Sequence, residues 1–162
     1  MKKKCINISV DVLSYDELST LEAGLVDIAK NETQKAYAPY SQFQVGASII
    51  LENNTLVAGS NQENAAYPSG LCAERTAMFY ANSNYPNSKP LMMAIASYAD
   101  GDFTPQPITP CGACRQVLIE TETRYNTDIT ILLYGRDIIY RLHSAKDLMP
   151  LAFDQSALKS VE

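Results

Sequence analysis

Three cysteines and one glutamate have the types and spacing from which a catalytic metal site can be built. Cys72 stands two residues before Glu74, and Cys111 and Cys114 belong to a Pro-Cys-Gly-Ala-Cys segment. Thiolate sulfur is a strong ligand for Zn²⁺, and three protein ligands leave the fourth tetrahedral position free for water. A carboxylate beside that position can accept a proton from the water and pass it on. The combination therefore favours metal-assisted hydrolysis.

The same cysteines also allow simpler interpretations. A Cys-x-x-Cys pair by itself is typical of thiol redox proteins, in which Cys111 and Cys114 would cycle between thiols and a disulfide. A purely structural zinc site needs a fourth ligand, and Cys5 is the candidate by residue type. Because Cys5 lies on a separate strand-like segment, we interpret it as a bystander. The one histidine, His143, is expected to be an exposed or edge residue of a strand.

The proposed ligands are expected at the beginnings of two helices. One helix is predicted from Cys72 to about Asn82, and another from Cys111 through Thr121. A thiol at a helix N-terminus meets unpaired backbone N–H groups and the positive end of the helix dipole, which favours its thiolate form. Glu74 would then lie on the first turn of the first helix, close to the metal without being a ligand.

The remaining patterns predict an α/β fold around one mixed sheet. Ser19 and Glu22 have the spacing of a capping box, so a helix is expected from there to about Tyr37. A single domain over residues 1–162 would contain all of these elements, with 1–36 as an N-terminal strand extension and first helix. The predicted strands are 5–13, a hairpin of 43–51 with 55–60, 91–98, 129–134 and 138–143; a loop covers 99–110, and Ser144 caps a final short helix.

Charge and hydropathy limit the classes of molecule that this chain is expected to bind. The chain has 13 basic and 18 acidic residues, a net charge of −5, and its only basic cluster is Lys2–Lys4. A polynucleotide substrate is disfavoured, because proteins that hold a phosphate backbone usually present a basic surface. We expect neither a membrane-spanning segment nor a secretory signal, and therefore a cytoplasmic protein with free thiols.

Five segments between Tyr37 and Phe153 match the motifs of one known family, in the same order. Zinc deaminases carry His-x-Glu, or a variant with cysteine, followed by Pro-Cys-x-x-Cys. The matching segments here are 37–47 (YAPYSQFQVGA), 61–68 (NQENAAYP), 72–77 (CAERTA), 110–116 (PCGACRQ) and 148–153 (LMPLAF). The chain thus resembles the small zinc-dependent cytidine deaminases of the homotetrameric, three-cysteine type.

The resemblance implies a fold, a cofactor and a reaction. The fold would be a three-layer α/β/α sandwich around a five-stranded mixed sheet. One Zn²⁺ per chain would be held by Cys72, Cys111 and Cys114, with Glu74 as the proton shuttle. Cytidine, and deoxycytidine, would be hydrolysed to uridine or deoxyuridine and ammonia in pyrimidine salvage. The chains would form a homotetramer with shared active sites.

The resemblance also assigns the substrate contacts. Asn61 and Glu63 would bind the ribose hydroxyls, and Phe43 would pack on the pyrimidine. Ala73 would offer its backbone N–H to the base carbonyl. Two further aromatic residues would reach sites of neighbouring subunits, and these are Tyr67 and Phe153.

An arginine beside the first ligand has a physical role of its own. Three thiolates and Zn²⁺ sum to a charge of −1, which makes the metal a poorer Lewis acid. A guanidinium that donates to a ligand sulfur withdraws charge and restores acidity. Arg75 is the first candidate for this role and Arg115 the second, since each follows a ligand cysteine closely.

Two other functions remain open at this point, and a third is disfavoured. A related aminopyrimidine deaminase, such as a blasticidin S deaminase, would share the metal chemistry, and only the sugar-binding residues would distinguish it. A non-catalytic zinc protein would have no use for Glu74 beside an open position. A deaminase that edits polynucleotides is disfavoured by the acidic charge and by cysteine at position 72.

One interval departs from the family pattern. Glu74 and Cys111 are 37 residues apart, which is longer than expected for short members of the family, and the additional length is placed in 99–109.

Overall fold

The structure of the chain, a computed structural model, describes residues 1–159 and consists of a mixed sheet with helices on both faces. The strands are β1 (Asp11–Leu13), β2 (Gln44–Leu51), β3 (Leu56–Ser60), β4 (Pro90–Ala99), β5 (Asp102–Phe103), β6 (Thr130–Tyr134) and β7 (Ile139–Leu142). The helices are α1 (Thr20–Glu32), α2 (Ala73–Asn84), α3 (Gly112–Tyr125) and α4 (Gln155–Lys159), and a 3₁₀ turn follows β7 at Ala145–Leu148.

The strand order explains how the two cysteine-bearing helices come together. The sheet runs β1-β7-β6-β4-β2-β3, with β5 attached to β4. β4 and β6 are parallel, with Met93 opposite Ile131, and the other neighbours are antiparallel. A parallel pair needs a crossover connection, and α3 lies within the one from β4 to β6. The start of α3 is therefore reached from the carboxyl end of β4.

Two apolar clusters show that helices cover both faces of the sheet, as expected for a three-layer α/β/α sandwich. Along β4 and β6, successive side chains alternate between the two clusters, as the pleat requires. On one face, α1 contributes Leu25, Val26 and Ala29, which pack with Ile50, Ala94, Ala96 and Leu132. On the other face, α2 and α3 contribute Ala77, Met78, Leu118 and Ile119, which pack with Ala47, Ile49, Met93, Ile95 and Ile131.

Two glycines let helices approach the sheet closely. A Cβ on Gly46 in β2 would collide with the backbone of α1 at Ala29 and with the N–H of Thr33. A Cβ on Gly59 in β3 would lie 2.8 Å from the backbone nitrogen of Ala77 in α2. Because α2 begins directly after Cys72, the contact at Gly59 helps to fix the position of that cysteine against the sheet.

The sheet has seven strands, where the resemblance implied five and the sequence pattern six, and the strands β1 and β5 are short. β1 covers only part of the predicted strand 5–13, because β7 offers partners only to Asp11–Leu13. Within the part of the chain that the structure describes, the residues before Asp11 have no neighbouring strand. β5 lies inside the predicted loop and forms a hairpin with β4. Its turn is Asp100-Gly101, with φ of 54° and 86°, and Asp-Gly is a strong two-residue hairpin signal that the sequence interpretation missed.

The first helix ends earlier than predicted. α1 finishes at Glu32 and is followed by a 3₁₀ turn, Thr33–Lys35. The buried Thr33 hydroxyl donates to the carbonyl of Lys30 at 2.7 Å, which occupies an acceptor in the last helical turn. The predicted cap is present: Glu22 N–H donates to Ser19 Oγ at 3.3 Å, and the Glu22 carboxylate accepts from Ser19 N–H. Within residues 1–159, no helix combines the length and apolar character needed to cross a membrane.

Candidate metal centre

Three cysteine sulfurs converge where α2 and α3 begin. The Sγ atoms of Cys72 and Cys111 are 3.8 Å apart, and those of Cys111 and Cys114 are 3.4 Å apart. All three lie within 4.8 Å of one another. Tetrahedral zinc with Zn–S bonds of about 2.3 Å holds its sulfurs about 3.8 Å apart. The spacing and the donor chemistry therefore fit Zn²⁺ with three thiolate ligands and one open position.

Helix capping places these sulfurs. Cys72 and Cys111 are the N-cap residues of α2 and α3, both with extended backbone at φ −72° and −66°. Neither side chain makes a capping hydrogen bond, so both sulfurs are available to a metal. Cys114 lies on the first turn of α3 and is buried. Two helix N-termini thus point at one spot, and their dipoles favour negative charge there.

The thiols differ in acidity because they share hydrogen bonds. Donation from Cys114, together with the Arg75 guanidinium and Cys111, lowers the pKa of Cys72 to about 5. The pKa of Cys114 is raised, because its thiol donates to Cys72 and is buried. Cys72 is therefore the first of the two to become a thiolate. A bound dication favours the thiolate of every ligand, since zinc binds only the deprotonated form.

Glu74 is a buried carboxyl group at the edge of the sulfur cluster. The residue is only 5% exposed, and burial raises the pKa of its carboxyl group, with the nearby Cys72 charge acting in the same direction. A dication beside it would act in the opposite direction by favouring the carboxylate. A buried acid whose protonation responds to a neighbouring metal is suited to exchanging protons there.

Arg75 contacts the first ligand, as the charge argument predicts. Its Nη2 lies 3.6 Å from Cys72 Sγ, within the range of an N–H···S hydrogen bond. Its Nε is buried and has no acceptor among residues 1–159. Arg115, the second candidate, instead donates to the carbonyls of Pro110 and Leu148. Only Arg75 of this pair has a hydrogen bond to a ligand sulfur in the described part of the chain.

A cavity of about 320 Å³ opens beside the cysteines and collects several of the predicted substrate residues. Asn61 spans its wall: Nδ2 donates to the carbonyl of Phe43 at 2.9 Å, and Oδ1 accepts from Val45 N–H at 2.7 Å. The lining residues are Ser41, Phe43, Val45, Asn61, Glu63, Cys72, Ala73, Glu74, Ile108, Thr109 and Cys111.

Glu63 is held at the mouth of this cavity by backbone donors. Its Oε2 accepts from Tyr40 N–H at 2.9 Å and Ser41 N–H at 3.2 Å. Hydrogen bonds from Ser41 and Tyr40 hold the pKa of this carboxyl below its ordinary value. Glu63 and Asn61 also border a second cavity of about 350 Å³, which reaches Tyr67 and Arg75.

Tyr67 and Phe153, which are predicted to act across subunits, do not line the cavity beside the cysteines. Tyr67 is 76% exposed and packs edge-on against Tyr40, with ring centroids 6.0 Å apart. Phe153 is 62% exposed, and its carbonyl accepts from Gln116 Nε2 at 2.7 Å. Tyr67 does border the second cavity, which Cys72 also lines.

Sequence reasoning missed four cavity-lining residues. Ser41 and Val45 lie within a family motif but received no role, while Ile108 and Thr109 fall in the segment predicted to be a loop. The signal available for the latter pair was their position directly before Pro110 and the ligand Cys111. The two bystanders behave as expected: Cys5 is exposed, and His143 is exposed with Nε2 3.1 Å from Asp11 Oδ2.

Comparison with known proteins identifies the sequence family of this region. The family model described as "Cytidine and deoxycytidylate deaminase zinc-binding region" matches residues 20–127. A cytidine deaminase from Halalkalibacterium halodurans is 45% identical over 96 residues, covering 59% of this chain and 68% of that protein. One from Sporosarcina psychrophila is 46% identical over 96 residues, covering 59% of this chain and 66% of that protein.

Solved structures extend the likeness to the fold. The 1.6 Å crystal structure of cytidine deaminase from Burkholderia pseudomallei matches with a TM-score of 0.68 at 36% identity, covering 84% of this chain and all of that chain. The enzyme from Mycobacterium tuberculosis matches with a TM-score of 0.62 at 29% identity, covering 81% of this chain and 95% of that chain.

Proposed function

Since this chain belongs to the family defined by the cytidine and deoxycytidylate deaminase zinc-binding region, we propose that it hydrolyses cytidine, and also deoxycytidine, to the uracil nucleoside and ammonia. The observation that carries this proposal is the convergence of Cys72, Cys111 and Cys114 beside a cavity whose wall contains the buried Glu74. A metal, a proton carrier and space for a small ligand are thereby combined.

We propose one Zn²⁺ per chain, with the three cysteines as its protein ligands. When bound, zinc supplies a Lewis acid that turns water into a nucleophile near neutral pH. Arg75 would donate to Cys72 sulfur and reduce the negative charge that three thiolates place on the metal. The two helix N-termini would stabilise the remaining charge.

Glu74 would carry the protons of the reaction. Its carboxylate first accepts a proton from the attacking water and passes that proton to N3 of the pyrimidine as oxygen bonds to C4. It then delivers the second proton of the water to the 4-amino group, and the C4–N bond breaks to release ammonia. Burial suits this role, because a carboxyl group removed from bulk water exchanges protons with the substrate rather than with solvent.

Asn61 and Glu63 would bind the ribose hydroxyls. A carboxylate offers about four acceptor sites and an amide two donors, so the backbone bonds described above leave capacity on both side chains. Those backbone bonds also fix the orientation of the two groups before a ligand arrives. The lowered pKa of Glu63 keeps it ionised, and an ionised acceptor forms stronger hydrogen bonds with hydroxyl donors.

The remaining contacts concern the base and the assembly. Phe43, partly buried in the cavity wall, would pack on the pyrimidine, and Ala73 N–H would donate to its carbonyl. The first N–H groups of a helix lack intrahelical acceptors, which supports that role for Ala73.

Tyr67 and Phe153 would complete sites of neighbouring subunits in a homotetramer. Their exposed rings support an intermolecular role, because they are accessible to another subunit and would gain free energy if buried there.

We further propose that the whole chain is one deaminase domain acting in pyrimidine salvage in the cytoplasm. Both apolar clusters pack on the same sheet, which supports a single folding unit. Two other functions compete with cytidine deamination: that of a blasticidin S deaminase and that of a non-catalytic zinc protein. The buried Glu74 at the cavity argues against the second of them.

The test is a cytidine absorbance assay on purified protein, before and after removal of zinc with a chelator. We expect loss of cytidine absorbance that stops when zinc is removed and returns when zinc is restored. Turnover that persists in fully metal-free protein would contradict the proposal. Zinc-loaded protein that leaves cytidine and deoxycytidine unchanged would also contradict it, and a panel of other aminopyrimidines would then separate the two competitors.

A further inference from the structure

Arg115 makes three side-chain hydrogen bonds in three different directions. Nε donates to the Pro110 carbonyl at 2.7 Å, Nη1 to the Leu148 carbonyl at 2.6 Å, and Nη2 to Thr109 Oγ1 at 2.9 Å. All three acceptors are uncharged. A guanidinium presents its donors in a rigid planar fork, so a set of three bonds fixes the acceptors relative to one another.

Two of the acceptors belong to the loop that leads into the metal centre. The Pro110 carbonyl is part of the peptide group that joins Pro110 to Cys111, so its orientation sets where the Cys111 backbone begins. Cys111 is exposed and makes no capping bond through its side chain. Thr109 lines the cavity beside the metal centre. The Arg115 side chain therefore restrains the peptide group that leads into the ligand Cys111, together with part of the cavity wall.

The third acceptor belongs to a segment far along the chain. Leu148 ends the 3₁₀ turn after β7 and is buried in the cluster beneath α2 and α3. The next residue on α3, Gln116, donates from Nε2 to the Phe153 carbonyl at 2.7 Å. Two adjacent side chains that directly follow Cys114 thus hold both ends of the segment 148–153, and both do so through its backbone carbonyls.

The position of Arg115 is electrostatically unfavourable without such a role. It lies on the first turn of α3, where the positive end of the helix dipole disfavours a cation. Arg124 on the same helix is exposed, with its guanidinium 5.0 Å from the ring centroid of Tyr125. Arg124 is therefore a matched control for loss of a guanidinium from α3 away from the metal centre.

We propose that Arg115 is a positioning residue that couples the metal-ligand loop 109–111 to the segment 148–153, so that the hold on the metal depends on the docking of that segment. Gln116 secures the far end of the segment only. The proposal rests on the zinc site proposed above. It requires no contact between Arg115 and the metal or the substrate.

The experiment measures zinc release and backbone protection on the zinc-loaded, full-length protein. Zinc content is measured first, and the release rate then follows from the colour of 4-(2-pyridylazo)resorcinol. Hydrogen exchange reports on residues 148–153 in parallel. The variants are Arg115→Met, Arg115→Lys and Gln116→Ala, with Arg124→Met and Arg124→Lys as controls. Arg115→Lys keeps charge and much of the stem, so it provides a milder probe if Arg115→Met does not fold.

We expect Arg115→Met to release zinc about tenfold or more faster than Arg124→Met, in line with losses seen when groups that orient metal ligands are removed. Arg115→Lys should fall between the two. Hydrogen exchange at 148–153 should accelerate in both Arg115 variants. Gln116→Ala should accelerate exchange near residue 153 and leave zinc release at the wild-type rate.

Equal zinc release from Arg115 and Arg124 variants would overturn the proposal, whatever the change in melting temperature. Faster zinc release with unchanged exchange at 148–153 would overturn the coupling. Wild-type protein that holds no zinc would instead contradict the proposed function itself. The two failures are distinguishable, because zinc content is established before any variant is compared.

Discussion

At the residue scale, the metal centre depends on where each side chain lies in a helical turn. Cys72 and Glu74 are two residues apart, one at the cap of α2 and the other buried on its first turn. In the proposed site, that difference gives the Cys72 sulfur to the metal and leaves the Glu74 carboxyl group free to exchange protons. The same first turn also carries Arg75, whose guanidinium reaches back to the sulfur of Cys72.

Replacement of Glu74 by Gln separates metal binding from proton transfer. We expect Glu74→Gln to retain zinc, because its ligands are the three cysteines, and to lose about 10²–10⁴-fold in kcat, because the amide cannot accept the proton. Zinc analysis and the cytidine assay measure the two properties. Glu120→Gln, an exposed change on α3, is the control and should keep the wild-type rate. A Glu74→Gln rate close to wild type would remove Glu74 from the proton path.

Replacement of Arg75 by Gln tests the charge argument for the metal. Loss of the guanidinium leaves more negative charge on Cys72 sulfur, so the metal becomes a weaker Lewis acid and water activation requires higher pH. The acid limb of the kcat/KM profile should therefore move to higher pH, with zinc retained. Arg124→Gln should leave the profile in place. Superimposable Arg75→Gln and wild-type profiles would contradict this role.

Spacing in the sequence was sufficient to group Cys72 with Glu74 and Arg75, and Cys111 with Cys114, because short helical motifs fix local geometry. The family motifs were needed to join these two groups across the 39 positions between Cys72 and Cys111. It was not sufficient for Arg115, which had been considered for the same role as Arg75. The difference lies in long-range contacts: Arg115 finds an acceptor at Leu148, 33 residues away, and local spacing carries no information on that neighbour.

At the element scale, the space available for a side chain differs between glycines, because helices pack closely on the sheet at some of them and not at others. We expect Gly46→Ala to destabilise the fold by about 1–3 kcal/mol, because the new methyl group must push α1 away from β2. Gly24→Ala, within α1 and with nothing within 4 Å of the new Cβ, should stabilise by about 0.5–1 kcal/mol. Urea unfolding of the two zinc-loaded variants measures both. Changes of the same sign would contradict the packing argument.

Element types followed from the sequence more readily than element ends. Alternation and helical periodicity located α1, α2, α3 and the central strands, since those patterns reflect burial by local neighbours. The extent of β1 depends instead on β7, which pairs with only three of its residues and lies 128 positions further along, counted from Asp11 to Ile139. A strand pattern without a partner strand remains extended chain.

At the scale of the whole molecule, the proposed assembly predicts a mass. Sedimentation equilibrium of zinc-loaded protein should give four times the 17.8 kDa of one chain. The physical reason is that exposed aromatics such as Tyr67 and Phe153 gain by burial against another subunit. A monomer at micromolar concentration that retains full activity would contradict shared active sites.

The pairing of β1 with β7 has a consequence for how the chain matures as it is synthesised. Asp11 emerges from the ribosome early, whereas the Arg141 that binds it at 2.9 Å is made 130 residues later. At the usual rate of translation of about 5–20 residues per second, the first strand waits several seconds for its partner. The pairing of β1 at the edge of the sheet is thus completed only after the residues of α2, α3 and β6 have all been made. Until then the first strand of the chain has no partner strand to bind.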